Sequence, residues 1–338
     1  MGEIVKPLIN DQINNTIKES VTVPDDQGGR RFDQIAAACF PAFSRARLQD
    51  WIRDGSLVVD GETRKPKEKL YGGEKLSLSV EVQPEGQWEP ENIPLDVVYE
   101  DNDLIVINKP ANLVVHPAAG NYTGTLLNAL LYHYPDNAAL PRAGIVHRLD
   151  KDTTGLMVVA RSLAAHSDLV AQLQDRTVHR EYEAVVRGVM TGGGVVDAPI
   201  GRHPQNRLKM AVVRSGKPSV THYRVVKRYK AHTHIRLNLQ TGRTHQIRVH
   251  MSHQHFPLVG DDLYGGGLKL PKSCPAALEK VLRAFRRQAL HARQLGLIHP
   301  ATGEYMEWEV PLTDDIQRLL DSLAENEPLS DGDRGECE

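Results

Sequence analysis

Cysteine is scarce: Cys39, Cys274 and Cys337 are the only three in 338 residues, odd in number and far apart. That excludes a disulfide framework or a CxxC zinc site and fits a reducing, cytoplasmic setting. Long apolar runs are absent. The longest, such as residues 104–107 and 156–160, are far too short to cross a bilayer, so no membrane partner is expected. The polar N-terminus lacks the apolar stretch of a secretory leader. An excess of one charge is also missing, since 41 Lys and Arg against 43 Asp and Glu leave −2. Taken alone, that total argues against a nucleic-acid partner. What remains, 40% hydrophobic residues and 27 Gly, is ordinary globular composition. The length implies about two domains.

The near-zero total conceals a segregation. Residues 81–103 hold eight acids and no Lys or Arg, and residues 314–338 hold nine acids against two bases. Residues 198–260 hold twelve Lys and Arg, eight His and no acid. Folded surfaces usually intersperse both signs, so a stretch of this kind points to a polyanion-binding surface. The alternative is that acids elsewhere in the fold pair with it.

Along the chain, residues 1–20 read as a polar, flexible tail and 21–83 as a small compact unit. In that unit Ile35, Ala38 and Cys39, then Leu48, Trp51 and Ile52, repeat at helical spacing. Ser44 suits the N-cap of the second helix and Gly55 its end. Residues 57–59 and 76–80 read as strands, with a turn at Asp60-Gly61. Residues 84–94 read as an acidic, proline-rich linker, 95–325 as one large α+β unit and 326–338 as an acidic tail. Strands are expected at 104–107, 156–160, 182–189 and 235–239. Helices are expected after Ser162, with Leu163, His166, Leu169, Val170 and Leu173 on one face, and around Ile316, Leu319, Leu320 and Leu323.

Three segments could carry chemistry. The string His147-Arg148-Leu149-Asp150-Lys151-Asp152 sets a carboxylate on a polar turn before an apolar strand. Flanking cations favour the ionised form of such a group, which suits a nucleophile or base better than a general acid. A structural ion pair at a turn is the plainer reading. The run Thr241-Gly242-Arg243-Thr244-His245-Gln246-Ile247-Arg248 mixes forked donors with small residues, as in recognition of carboxylate or phosphate. Phosphate contact without catalysis would explain it equally. In Arg180-Glu181-Tyr182 an aromatic opens a strand, where most such residues are simply core.

Other chemistries fit poorly. His245, His250, His253 and His255 are spaced by five, three and two, which does not put three metal ligands on one helix face, and no metal is expected. The HRLD string lacks the remaining kinase signatures, and no GxSxG elbow is present.

At these residues the chain resembles the RluA-type pseudouridine synthases. The carrying string is His147–Leu156. Supporting matches, in family order, are Asn108-Lys109-Pro110 with Val115-His116-Pro117, the Tyr182 segment, Thr241–His250 with Pro257–Asp261, and Leu290-His291-Ala292. The likeness covers roughly residues 95–312. The small unit resembles an S4 RNA-binding domain through Ser44-Arg45-Ala46-Arg47 and the Ile52, Gly55, Val58, Gly61 run.

The resemblance implies an α+β chain, with a small S4-like unit of αααβ type and a large, mainly antiparallel sheet of the pseudouridine synthase fold. It implies an isomerase that breaks the C1′–N1 bond of uridine, turns the uracil and rejoins it through C5, with no cofactor. Asp150 would be the essential carboxylate, attacking C1′ or removing the C2′ proton. Arg248 would pair with it, and Tyr182 would stack on the flipped base and help remove the C5 proton. Arg148 would displace the base, with Leu290 and Arg243 at the pocket. Arg45, Arg47, Arg53, Lys65, Lys67, Lys109, Arg202 and Lys209 would contact RNA. The expected partner is large-subunit (23S) ribosomal RNA, most similar in kind to a helix 69 target, within an assembling or assembled subunit and bound by a monomer. The rivals are a different ribosomal or transfer RNA uridine and a non-catalytic ribosome-assembly factor.

Overall fold

Apolar residues at alternate positions of 76–80 pack against two short amphipathic helices, and this builds the smaller of two units. A computed structural model describes residues 16–41, 43, 45–81, 88–117, 122–206 and 208–326. The main chain divides between Gln87 and Trp88. In the first unit β1 (Thr16–Thr22), β2 (Leu57–Val59) and β3 (Lys75–Glu81) form an antiparallel sheet ordered β1-β3-β2. Helices α1 (Phe32–Cys39) and α2 (Arg45–Asp54) cover it, so the described residues of this unit hold two α-helices and three strands where an αααβ order was expected. Part of the expected N-terminal tail is therefore strand, because residues 16–20 pair with residues 77–81.

The buried face of α1 is Phe32, Ile35 and Ala36, whereas Ala38 is exposed. The helical spacing is right and the phase is set by Phe32. The turn after β2 is a two-residue hairpin in which Asp60 and Gly61 both have positive φ, 51° and 83°. Val59 and Glu62 exchange both backbone hydrogen bonds across it. The Ser44 cap, the tail up to residue 15, linker residues 84–87 and the tail from 327 lie outside the described residues.

The second unit is built on a nine-stranded sheet. Its strands are β4 (Val97–Glu100), β5 (Leu104–Lys109), β6 (Thr154–Ala160), β7 (His179–Arg187), β8 (Gly194–Asp197), β11 (Val220–Arg228), β12 (His232–Leu239), β13 (Leu290–Ile298) and β14 (Tyr305–Glu309). The order is β4-β5-β6-β13-β7-β12-β11-β8, with β14 on β13. All these pairings are antiparallel except β6 with β13. A separate hairpin pairs β9 (Ile200–Arg202) with β10 (Met210–Val212). The helices are α3 (Leu126–His133), α4 (Leu163–Asp175), α5 (Gln246–His253), α6 (Asp262–Gly265), α7 (Ala276–Ala284) and α8 (Asp314–Glu325).

Ser162 caps α4 by accepting from the Ala165 amide, and α4 buries Ala165, His166 and Leu169. Ile316, Leu319, Leu320 and Leu323 of α8 join Leu278 and Leu282 of α7 in one apolar cluster. A second cluster sets Leu104, Val106, Leu156 and Val158 against Leu169 of α4. The latter half of the expected linker belongs to this unit. Glu91 accepts from the Gly124 amide through its side chain, and Asn128 donates to the Glu89 carbonyl.

Candidate active site

The loop before β6 carries Asp150, β7 carries Tyr182, the loop from β12 into α5 carries Arg243 to His245, and the first turn of α5 carries Arg248. These segments and Leu290, at the start of β13, line one cleft. Tyr182 and Leu290 are buried, Asp150 and Arg243 are half-buried, and Arg148 is exposed. Along β7 side chains alternate. Arg180 and Tyr182 line the cleft, while Glu181 and Glu183 carry ion pairs with Arg224, Arg236 and Arg293.

Arg248 is the electrostatic centre. Its Nη1 donates to Asp150 Oδ2 at 2.9 Å. Its Nε and Nη2 donate to the two oxygens of Asp261 at 2.7 and 2.9 Å. Burial alone would lower the affinity of this guanidinium for its proton. The hydrogen bonds and charge of Asp261, with those of Asp150, more than offset that and raise it above the ordinary value. The planar fork holds two carboxylates at once, which a lysine cannot do. Its cation lies 5.0 Å from the Tyr264 ring centre.

The cation that meets Asp150 thus comes from 98 residues away rather than from flanking Arg148 or Lys151. His245 adds to it. This residue begins α5 in the left-handed conformation, φ 57°, a strained position for a non-glycine residue. The Met210 amide donates to the Tyr264 hydroxyl, so that hydroxyl proton is free to go to His245 Nδ1, 2.7 Å away. The proton of His245 then sits on Nε2, 3.8 Å from Asp150 Oδ1, a charge contact rather than a hydrogen bond. Burial pulls the pKa of His245 below its ordinary value despite Asp150.

Two further cations grip the backbone of the Asp150 loop. Lys109 Nζ donates to the carbonyls of Pro110, Leu113 and Lys151 at 2.7, 3.0 and 2.9 Å. Arg287 donates to the Asp152 carbonyl at 3.2 Å while its fork holds Asp315. The expectation that Lys109 contacts RNA is therefore corrected. It is 1% exposed, its three donors are engaged, and burial pushes its pKa down to about 7. Sequence reading passed over Arg287, Asp261 and Tyr264 as site residues. The Pro257–Asp261 and Leu290–Ala292 matches marked their neighbourhood.

The other expected RNA contacts divide. Arg45 is tied to the buried Asp33 carboxylate at 2.7 Å, with Arg31 and Gln49 on the same group. It holds this buried carboxylate while its own side chain stays 47% exposed. Arg47 lies over the Trp51 ring at 5.0 Å, and Arg53 pairs with Asp50 at the surface. Lys65, Lys67 and Arg202 are exposed and Lys209 is half-buried. In the basic stretch, Arg224, Arg236 and Arg248 pair with acids from outside it, as the alternative reading of that stretch expects. His250 uses both ring nitrogens, on Thr221 and the Ala198 carbonyl. Among the described residues, Asp101, Asp103 and His299 lie close enough to share an ion, but none of them lines the cleft. His299 is engaged on the Asp101 carboxylate and, through Nδ1, on two backbone amides.

A sequence profile of the RNA pseudouridylate synthases matches residues 103–253. A Pseudomonas aeruginosa protein named ribosomal large subunit pseudouridine synthase D is 58% identical over 93% of this chain and 98% of its own length. The chain belongs to the RNA pseudouridylate synthase family. It is accordingly an isomerase. An Escherichia coli K12 protein of the same name as the Pseudomonas one is 54% identical over 91% of this chain and 94% of its own. Among solved structures, human RNA pseudouridylate synthase domain containing 4 is 30% identical, with a TM-score of 0.53 over 68% of this chain and 93% of its own. The matched profile spans Asp150, Tyr182 and Arg248, and the mixed, mainly antiparallel sheet agrees with the family fold.

Proposed function

We propose that this synthase converts uridines of large-subunit ribosomal RNA to pseudouridine, in the loop of helix 69, with Asp150 as the essential carboxylate. The observation that carries the chemistry is the Asp150–Arg248–Asp261 array beside the buried Tyr182. The choice of large-subunit RNA is supported by relatives, 53–58% identical over nearly their whole length, whose names specify the large ribosomal subunit.

In this reading the uridine leaves its RNA stack and enters the cleft, at a cost of a few kcal/mol that stacking and arginine contacts offset. Arg148, exposed at the cleft, occupies the vacated place. Tyr182 stacks on the uracil, and Leu290 lines the wall. Asp150 acts on the ribose in its ionised form, held by Arg248. The C1′–N1 bond breaks, the base turns, and C1′ bonds to C5. The C5 proton is lost and N1 gains one, so atoms balance without a cofactor. Burial keeps the Tyr182 hydroxyl protonated well past its ordinary pKa, which suits a stacking group.

The small unit acts as an S4-type RNA grip through Arg47, Arg53, Lys65 and Lys67, with Arg202 and Lys209 added by the large unit. The working form in this reading is a cytoplasmic monomer acting on an assembling or assembled subunit. The test is to map pseudouridines in ribosomal RNA from cells lacking the protein, then complemented with wild type or Asp150→Asn. The expected result is loss in the helix 69 loop, restored by wild type alone, with Asp150→Asn still binding the RNA. Loss only at other sites would overturn the helix 69 target. Turnover by Asp150→Asn would remove Asp150 from its role.

A further inference from the structure

Arg180 has no assigned part in this reaction, yet its setting is unusual. It precedes Tyr182 by two residues on β7 and so lies on the same face, and the residue is only 7% exposed. Its Nε is buried without any partner. The Arg180 side chain makes no hydrogen bond or ion pair with another described residue. A guanidinium does not lose its proton in a protein, and burying it unpaired costs several kcal/mol. Such a group persists where a ligand supplies the missing anion.

The space around it has the matching form. Arg180, Gly242 and Arg243 line the catalytic cleft and also a second cavity beside it, of about 410 Å³. Arg176 adds a third guanidinium to that cavity, and no carboxylate lines it. Gly242 leaves the passage open: a Cβ there would fall 2.7 Å from Arg180 Nη1. A nucleotide whose base and ribose fill the cleft carries its phosphates just outside it, where this cavity begins.

We infer that Arg180, with Arg176 and Arg243, binds a backbone phosphate of the RNA flanking the flipped uridine and so fixes the ribose over Asp150. Arg180 is a positioning residue in this scheme, and the inference rests on the reading of the cleft as a uridine site.

The test uses the full chain and a 23S ribosomal RNA transcript ethylated at random on its phosphates. The transcript is partitioned by binding to wild type, Arg180→Gln or Gly242→Ala. With wild type, ethylation of one phosphate within two nucleotides of the converted uridine should block binding. Arg180→Gln should lose that interference, bind about tenfold more weakly and show a salt slope smaller by about one. Gly242→Ala keeps the charge but displaces the guanidinium tip, and should weaken the same single interference signal. It guards against misfolding of Arg180→Gln, as does Arg180→Lys, which should retain part of the signal. An identical interference pattern in wild type, Arg180→Gln and Gly242→Ala would overturn the inference, as would an unchanged salt slope. If Arg180→Gln lost turnover alone, with pattern and slope intact, a contact to the base would replace it. Failure of wild type to convert both the unmodified transcript and large subunits from cells lacking the protein would count against the uridine reading and leave the binding comparison valid.

Discussion

Asp150 illustrates how little a residue's sequence neighbours say about its electrostatics. Arg148 and Lys151 flank it, yet the hydrogen-bonded cation is Arg248, itself held by Asp261. Arg248→Lys keeps a charge but loses the fork, so it cannot hold both carboxylates in register. Single-turnover conversion should fall about a hundredfold, the scale expected for a misplaced reacting group, with RNA affinity nearly unchanged. A loss confined to affinity would argue that Arg248 acts only in binding. Lys109 makes the complementary point. Lys109→Met leaves three carbonyls without their donor, one of them next to Asp150. Urea unfolding should show a loss of about 3 kcal/mol.

At the scale of elements, the two faces of β7 separate the chemistry from the scaffold. Glu183 accepts from His234 and Arg236 of β12 and from Arg293 of β13, so one carboxylate ties three strands. Burial would push its pKa up. The bonds from His234 and Arg236 and the charge of Arg293 outweigh that and bring it from 4.5 down to about 2. A depressed folded value means that the stabilisation is present above about pH 4.5 and is lost as pH falls through about 2. Its size is about 3 kcal/mol. Urea midpoints measured across this window should fall more steeply in wild type than in Glu183→Gln.

Gly155 shows why one motif position takes glycine. Its φ is +108°, and a Cβ there would lie 2.1 Å from the Ala292 carbonyl oxygen, across the parallel pairing of β6 and β13. Gly155→Ala should therefore cost more than about 3 kcal/mol in thermal unfolding. A variant that melts like wild type would contradict this packing argument.

At the scale of the whole molecule, the net charge of −2 is a cancellation between acidic and basic stretches. In the small unit the grip on RNA is better tested at the exposed Lys65 and Lys67 than at Arg45, whose removal would strand Asp33. Lys65→Gln with Lys67→Gln should reduce the salt dependence of RNA binding by about two in slope, with the melting temperature unchanged. An unchanged slope would mean that these lysines do not meet phosphate. Arg45→Ala should instead lower the melting temperature.

The sequence by itself determined the elements with strong local signals. The periodicity of α2 and α8, the Ser162 cap and the Asp60-Gly61 hairpin follow from spacing and backbone preference. It also marked the segments that line the cleft, because their motifs are contiguous strings. The phase of α1 was not legible, because Ala38 and Ala36 are equally apolar and only the Phe32 anchor decides between them. The tertiary structure alone decided partnership. It drew Lys109 away from the surface, tied the exposed Arg45 to Asp33, brought Asp261 and Tyr264 to Arg248, and left Arg180 buried without an anion. The reason is physical: a charged side chain is defined by the groups that replace its water, and those groups come from strands far apart in the chain.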